Sequence, residues 1–442
     1  MTFVRSNILP CAPPRTAIAI MAGLLAVGLS TTACATTTEE LEARVQALSQ
    51  QLQEVKAELA QFKAQAAGPR PATAMDANIN AAGHPSSAAT SASSGGPTFF
   101  GYGELNYSRP RDDAAATTAD LARFVIGMGY RFDDRTRFVS ELELEHAVSS
   151  ASDPGEIEVE QAYVERELGN GLYAKAGLVL IPSGMLNESH EPTRYYGVFR
   201  NFVETAIIPS TWREGGVAIQ GNTSNGFRWD LGVTTGFDLS KWDAAATEGQ
   251  ESPLGSIHQE LAQARAKDLS GFAAVNYTGV PGLRLGVSVF GGNAGQGQPG
   301  FADARILIWE GHARWMPGAF DLSALYAHGH IGDTAAINTT LVGNPTLIPE
   351  DFFGWYLQAA YLAWERDAWS VSPFVRYERF NTAASYADLA AGLTPSPLPD
   401  REVWTAGLNF TIAPGVVLKA DYLDFRDDAA ARRFDLGLGY QF

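Results

Sequence analysis

The last ten residues, RFDLGLGYQF at 433–442, constrain what this chain can fold into more than any other stretch. Phe434, Leu436, Leu438, Tyr440 and Phe442 share one face of an extended segment, and Arg433, Asp435, Gly437, Gly439 and Gln441 share the other. Side chains alternate across a strand, so this is a strand with one apolar and one wet face. Segments of about ten residues with the same alternation recur from Thr98 onward. A two-sheet sandwich shows that pattern too, and the connections separate the two folds. Tight turns are expected at Asp133-Asp134-Arg135, Gly169-Asn170-Gly171, Ser224-Asn225-Gly226, Val280-Pro281-Gly282, Pro317-Gly318, Arg366-Asp367 and Pro414-Gly415. Longer polar segments lie between them, at 109–119, 147–155, 183–211, 238–268, 294–304, 331–350, 380–399 and 427–431. Seven short and eight long connections in alternation join sixteen strands, with both ends on the short-turn side. The expected fold class is an all-β transmembrane one, a 16-stranded antiparallel outer-membrane β-barrel over 98–442. Such a barrel crosses a bilayer without any apolar run of helical length.

The residues ahead of Thr98 divide into three parts. Arg5 and Arg15 followed by the apolar run AIAIMAGLLAVGL read as a secretory signal peptide over 1–35, too short to span as a helix. Two readings of its edge stand: cleavage after Ala35 at Ala33-Cys34-Ala35, and lipidation of Cys34, against which Thr31 occupies the place where a lipobox has Leu. Cys11 and Cys34 are the only cysteines, so the exported body carries neither disulfide nor thiolate chemistry. Loss of the leader moves the formal net charge from -17 to -19, which excludes the basic footprint of a nucleic-acid partner.

Within 36–63, Leu41, Val45, Leu48, Leu52, Val55, Leu59 and Phe62 recur at alternating steps of four and three. This is a heptad seam, so a short α-helical coiled coil for self-association is expected there. Residues 64–97 hold few large apolar side chains and read as a flexible linker.

RFVSELELEHA, PGEIEVEQAYVE, AGLVLIPSGMLNESHEPTRYYGVFRN and IIPSTWREGG resemble the phosphate-selective porin O and P superfamily, over about 98–442. The resemblance implies a sixteen-stranded trimeric porin in the Gram-negative outer membrane, in contact with outer-membrane lipid, passing small hydrophilic solutes or ions. Tyr440 and the terminal Phe442 are similar to the signal read by the barrel-assembly machinery. The coiled coil is no part of that family's core and fits a periplasmic trimer clamp.

Sixteen strands leave an aqueous bore, so function turns on what lines it. The alternation places Phe138, Leu142 and Leu144 outward and Glu141, Glu143 and Glu145 inward, with Glu156, Glu158 and Glu160 inward on the next strand. Pairing Glu145 with Glu158 also pairs Glu143 with Glu160, and like charges across a ladder destabilise it. Something cationic must face them, either arginines or metal ions. The arginines at hand are Arg123, inward on the second strand, and Arg194, Arg200 and Arg213, in or beside the third long loop. That loop holds Met185, Leu186, Tyr195, Tyr196, Val198, Phe199, Phe202, Val203, Ile207 and Ile208, too apolar for a water-facing surface. The expectation is that it folds inward, narrows the channel and brings Arg194 and Arg200 to the acidic ladders, where a transverse field filters by charge.

The barrel has only Lys175, Lys241, Lys267 and Lys419 as lysines, while Arg284, Arg305, Arg314, Arg376 and Arg401 offer an inward basic track. The inward carboxylates favour general or weakly cation-preferring diffusion, with anion or phosphate selectivity as the alternative. His190 between Glu188 and Glu191 lacks the second histidine of a zinc helix and reads as a solvated or loop-bracing residue, so no metal and no cofactor are expected. No nucleophile elbow is present and no enzymatic activity is expected. A structural tether through the coil is a further alternative, although its 24 residues span only ~36 Å.

Overall fold

A computed structural model describes residues 96–442 except 151, 302, 303 and 391, together with Gln46, Gln50 and Gln53, which are helical and exposed. The leader and the seam residues Leu41, Val45, Leu48, Leu52, Val55, Leu59 and Phe62 lie outside the described residues.

Alternation of apolar and polar residues produces seventeen strand segments. The first eight are β1 (Thr98–Pro110), β2 (Thr118–Arg131), β3 (Thr136–Glu145), β4 (Ile157–Gly169), β5 (Leu172–Leu180), β6 (Arg213–Asn222), β7 (Phe227–Thr234) and β8 (Ser270–Tyr277). Then come β9 (Leu283–Asn293), β10 (Arg305–Trp315), β11 (Phe320–Gly332), β12 (Asp351–Tyr361), β13 (Trp364–Arg366), β14 (Trp369–Ser385), β15 (Arg401–Ala413), β16 (Val416–Phe425) and β17 (Arg433–Gln441). The three residues of β13 pair with β14 along the same edge as β12, so β12 and β13 form one interrupted stave. Sixteen staves result, each antiparallel to its neighbours. β1 pairs with both β2 and β17, which closes the barrel and leaves no edge strand. The seam extends to the last residue, since Gly101 and Phe442 exchange both backbone hydrogen bonds, at 2.9 and 3.1 Å.

All seven tight turns and all eight longer connections fall at or near where the sequence spacing places them. Between β4 and β5, Gly169, Asn170 and Gly171 all have positive φ, a conformation that favours glycine and asparagine. The outward faces carry the apolar residues, among them Leu142, Val164, Val217, Leu231, Val287, Leu357 and Leu436. Exposed rings cluster beside the short turns, at Phe132, Phe227, Trp315, Phe320, Tyr361, Trp364 and Trp369. Among the described residues, no helix is long and apolar enough to cross a membrane.

The core is unusual in its position, since it lies inside the barrel mouth on the long-loop side. Residues 181–212, 235–269 and 333–350 contribute Ile181, Ile207, Trp212, Phe237, Leu254 and Ile348 to one buried cluster, completed by wall residues such as Phe290 and Phe352. Trp212 stacks on Phe237 and both meet Phe290 edge to face, with ring centroids 4.5 to 5.4 Å apart. Two of the loops interlock through Trp242 Nε1, which donates to Thr346 O at 3.2 Å, and Thr346 N, which donates to Ala244 O at 3.1 Å.

One strand departs from regular alternation in a way that reorganises the acidic wall. Glu141 pairs with Gln161 while Leu142 pairs with Val159, so Glu160 is an extra residue, a β-bulge in β4. The sequence arithmetic set Glu145 against Glu158 and Glu143 against Glu160. The observed pairing sets Glu143 against Glu158, because strict period two cannot anticipate an inserted residue.

Candidate functional site

The loop at 181–212 connects β5 to β6, and its base is closed by one asparagine. Asn187 donates from Nδ2 to Ile181 O (2.7 Å) and Trp212 O (2.8 Å) and accepts from Trp212 N at Oδ1 (2.6 Å). A single π-helical turn, Val203–Ile207, buries Val203, Ala206 and Ile207. Buried Glu204 braces it, accepting from Met185 N (2.5 Å), Leu186 N (2.8 Å), Asn201 Nδ2 (2.7 Å) and Tyr356 OH (3.1 Å). Every one of these is a donor that burial would otherwise leave unpartnered.

From its root the loop reaches the wall opposite. Phe202 N donates to Glu378 Oε2 on β14 (2.7 Å), and the Tyr196 ring lies 5.7 Å from that of Phe374 on the same strand. Gly197 N donates to Asn409 Oδ1 on β15 (3.3 Å), and Val198 N to Asp421 Oδ2 on β16 (2.6 Å). Thr193 bonds Gln441 on β17, and Tyr195 OH donates to Glu104 Oε2 on β1 (2.7 Å). From β6 to β14 is seven steps around the barrel one way, and from β5 to β15 is seven steps the other way. The loop therefore crosses from one side of the wall to the other.

Tight packing explains the inward glycines of the closing segment. A Cβ on Gly439 would stand 2.6 Å from Pro192 Cβ, and one on Gly437 3.1 Å from Val198 Cγ1. Their inward side is filled by the loop.

Of the six carboxylates read from the alternation, Glu156 is exposed just ahead of β4, and the other five do not share one environment. Glu141, Glu143 and Glu160 are buried, Glu160 completely, whereas Glu145 and Glu158 keep partial exposure. Arg213 answers two acids at once, bonding Glu158 and also Glu260 Oε1 (2.6 Å), a residue of the next long loop. Arg123 is buried as expected, but its Nε donates to Glu104 Oε1 (2.7 Å) and its Nη2 to His190 O (2.5 Å).

Arg194 and Arg200 differ from expectation. Arg194 lies 3.7 Å from Glu191 within its own loop and lines a cavity of about 650 Å³ on the short-turn side, with Arg314, Asp321 and Glu365. Arg200 donates to Ser210 and to Thr211 Oγ1 (3.0 Å). Among the described contacts neither bonds an acidic ladder, because the loop folds into self-contained turns that use its arginines locally.

Most basic residues on the inner wall hold an acid of their own. Arg228 bonds Glu188 (2.7 Å) and Asp230 (2.9 Å), Arg314 bonds Asp321 (2.5 Å), Arg376 bonds Glu378 (2.7 Å) and Arg433 bonds Asp435 (2.9 Å). Arg284 bonds Asn276 Oδ1 (3.3 Å), and Arg401 pairs with Asp427 (2.6 Å). Arg305 leaves the proposed track, since it shares the exposed face of β10 with Leu307 and Trp309. Burial acts to raise the pKa of Glu188, yet Arg228 and Lys175 outweigh it and hold the carboxyl below the usual range.

His190 braces the loop from a buried position. Its Nδ1 lies 2.9 Å from Asn187 O, and its Nε2 lies 2.6 Å from Tyr102 OH, which also donates to Glu160 Oε2 at 2.6 Å. Tyr102 and Glu104 were not singled out in the sequence. The alternation there already put 102 and 104 on one face.

No family model matches the chain. An uncharacterized protein of Aquifex aeolicus is 29% identical over 344 residues, covering 75% of this chain and 77% of that one. Among solved structures, OmpF of Salmonella typhi in complex with daunomycin superimposes with a TM-score of 0.54 at 12% identity, over 78% of this chain and 97% of that one. A loop-deletion mutant of OmpT, an outer membrane protein of Vibrio cholerae, gives 0.51 at 13% identity, over 79% and 100%. The barrel has the porin fold. At these identities the likeness is one of architecture, and the residues of the loop and wall speak for this chain alone.

Proposed function

We propose that the chain is an outer-membrane porin, a water-filled channel for passive diffusion of small hydrophilic solutes and ions, constricted by the loop at 181–212. The observation that carries this reading is the loop's attachment to β14 and β15, opposite its root, and onward along the wall to β16, β17 and β1. A segment fastened across a sixteen-stave bore divides it, and what passes is then governed by the charges left beside it. The resemblance of 98–442 to the phosphate-selective porin O and P superfamily supports the same reading, as does an apolar belt with rings at the short-turn rim. The coiled coil at 36–63 serves as a periplasmic clamp for a homotrimer, and Phe442 as an assembly signal. No chemical step belongs to this function.

Weak cation preference is the favoured selectivity. Arg213, Arg228, Arg314, Arg376 and Arg433 are neutralised by acids, while Glu145 and Glu158 keep partial exposure on the wall. The alternative, an anion- or phosphate-selective channel, draws on Arg194 and Arg314 beside the 650 Å³ cavity. Planar-bilayer recording across a salt gradient, with and without phosphate, decides between them. Stepwise conductance with a reversal potential on the cation side is expected, and Glu145→Gln with Glu158→Gln shifts it toward anions. Absence of stepwise channels overturns the porin reading, and anion-side reversal with block by phosphate transfers the selectivity to the alternative.

A further inference from the structure

We infer that Glu141, Glu160 and His190 form a binding site for one divalent first-row cation, Zn²⁺ or Mn²⁺, which fastens the loop at 181–212 to the wall. One ligand atom from each residue lies within 4.8 Å of the other two, and all three residues are buried. Metal–ligand bonds of about 2.0 to 2.2 Å put neighbouring ligand atoms of a tetrahedral ion about 3.4 Å apart, so the three atoms draw together to share an ion.

The second observation is the state of the oxygens. Glu141 Oε2 and Glu160 Oε1 are buried without a hydrogen-bond partner, and so is Oε1 of Glu143, which follows Glu141 on the same face of β3. A buried carboxylate is paired, coordinates a metal or takes up a proton, because desolvating an unpaired charge is prohibitively costly, so an ion at this site binds in competition with protons. Arg123 reaches this cluster through its charge alone: its Nε and Nη2 bond Glu104 and His190 O, and none of its described hydrogen bonds goes to Glu141, Glu143 or Glu160. A divalent ion supplies the missing positive charge from within the cluster.

The histidine is oriented as a ligand. Its Nδ1–H donates to Asn187 O at 2.9 Å, which leaves Nε2 as the unprotonated nitrogen; it accepts from Tyr102 OH at 2.6 Å, and Glu160 Oε2 lies 3.6 Å away. A backbone carbonyl on the far nitrogen is the usual support of a metal-bound imidazole, fixing both tautomer and ring plane. Asn187 is itself held by Ile181 and Trp212. The Tyr102 hydroxyl, 2.6 Å from both His190 Nε2 and Glu160 Oε2, is the group that competes for the nitrogen. It has one proton to donate, and Glu160 takes it once Nε2 is bound to a cation. One imidazole and two carboxylates suit zinc or manganese better than calcium or magnesium, which prefer oxygen alone.

The site joins β3, β4 and the loop, three parts of the chain with no backbone bond in common at that point. It departs from the sequence-based expectation because that reading tested His190 only against its neighbours Glu188 and Glu191. It does not rest on the channel reading, since occupancy is measured without conductance.

The test is metal content by elemental mass spectrometry. The full-length barrel, purified in detergent, is stripped with EDTA and dialysed against Zn²⁺ or Mn²⁺. One tightly held ion per chain is expected. Glu160→Gln, Glu141→Gln and His190→Gln each lower affinity at least about tenfold, while Asp367→Asn, on an exposed turn, leaves it unchanged. Heat-modifiable gel migration verifies that each variant barrel is folded. Tyr102→Phe, which removes the competing hydroxyl, retains the ion. If wild type holds no more metal than the triple variant, or folded Glu160→Gln binds as tightly as wild type, the proposal is overturned. So it is if Tyr102→Phe stays folded and holds no ion.

Discussion

Glu188 shows how a single ionisable residue ties the loop to the barrel. Arg228 on β7 bonds it at 2.7 Å and Lys175 on β5 adds positive charge, so its carboxyl is held below its ordinary value despite burial. A depressed carboxyl pKa stabilises the fold fully above the unfolded value, near 4.3, and the contribution is lost as pH falls through the folded value. Glu188→Gln is therefore expected to cost about 1 to 3 kcal/mol at neutral pH. It should also flatten the acid-side loss of stability below about pH 4. Urea unfolding in detergent micelles at the two pH values measures both effects. Equal acid sensitivity in wild type and variant would show that this pair does not carry the linkage.

Among the elements, β17 and the loop are shaped for one another. Gly437 and Gly439 sit inward where Val198 and Pro192 press, and the room a side chain would take is already filled. Gly439→Val introduces overpacking of about 1 to 3 kcal/mol. The loop is the part that yields, since β17 is held on both sides by β1 and β16. Faster proteolysis within 181–212 and a larger single-channel conductance are expected, with the folded barrel's gel migration unchanged. Unaltered proteolysis and conductance together would mean that Pro192 accommodates the change without moving the loop.

At the level of the whole molecule, the proposed clamp and the barrel make separable demands. The barrel closes on itself through β1 and β17 and needs no partner to satisfy its backbone. The expected heptad seam of Leu41, Val45, Leu48, Leu52, Val55, Leu59 and Phe62 is an apolar stripe of the kind that other copies bury in a coiled coil. Deleting 36–63 is expected to turn trimers into monomeric barrels, read by crosslinking and light scattering in detergent. Trimers that persist would assign assembly to the barrel wall and remove the clamp from the proposal.

The sixteen staves, most of their inward and outward faces and the approximate positions of the fifteen connections were legible in the residues themselves, although Arg305 faces outward and β14 runs on to Ser385. A strand has period two, and lipid outside with water inside writes that period into the chain. The apolar content of the third long loop likewise announced that it could not face water. What only the tertiary structure decided is which groups meet. One extra residue at Glu160 changed the partners of the whole acidic wall, and no periodic pattern announces an insertion. The bonds of Val198 to Asp421 and of Gly197 to Asn409 join residues more than two hundred positions apart. Arg194 and Arg200 turned to local partners, and His190 met Glu160 and Tyr102 instead of Glu188 and Glu191. Local periodicity records the solvent each side chain faces, whereas closure of the barrel and the path of the loop across it choose the neighbours.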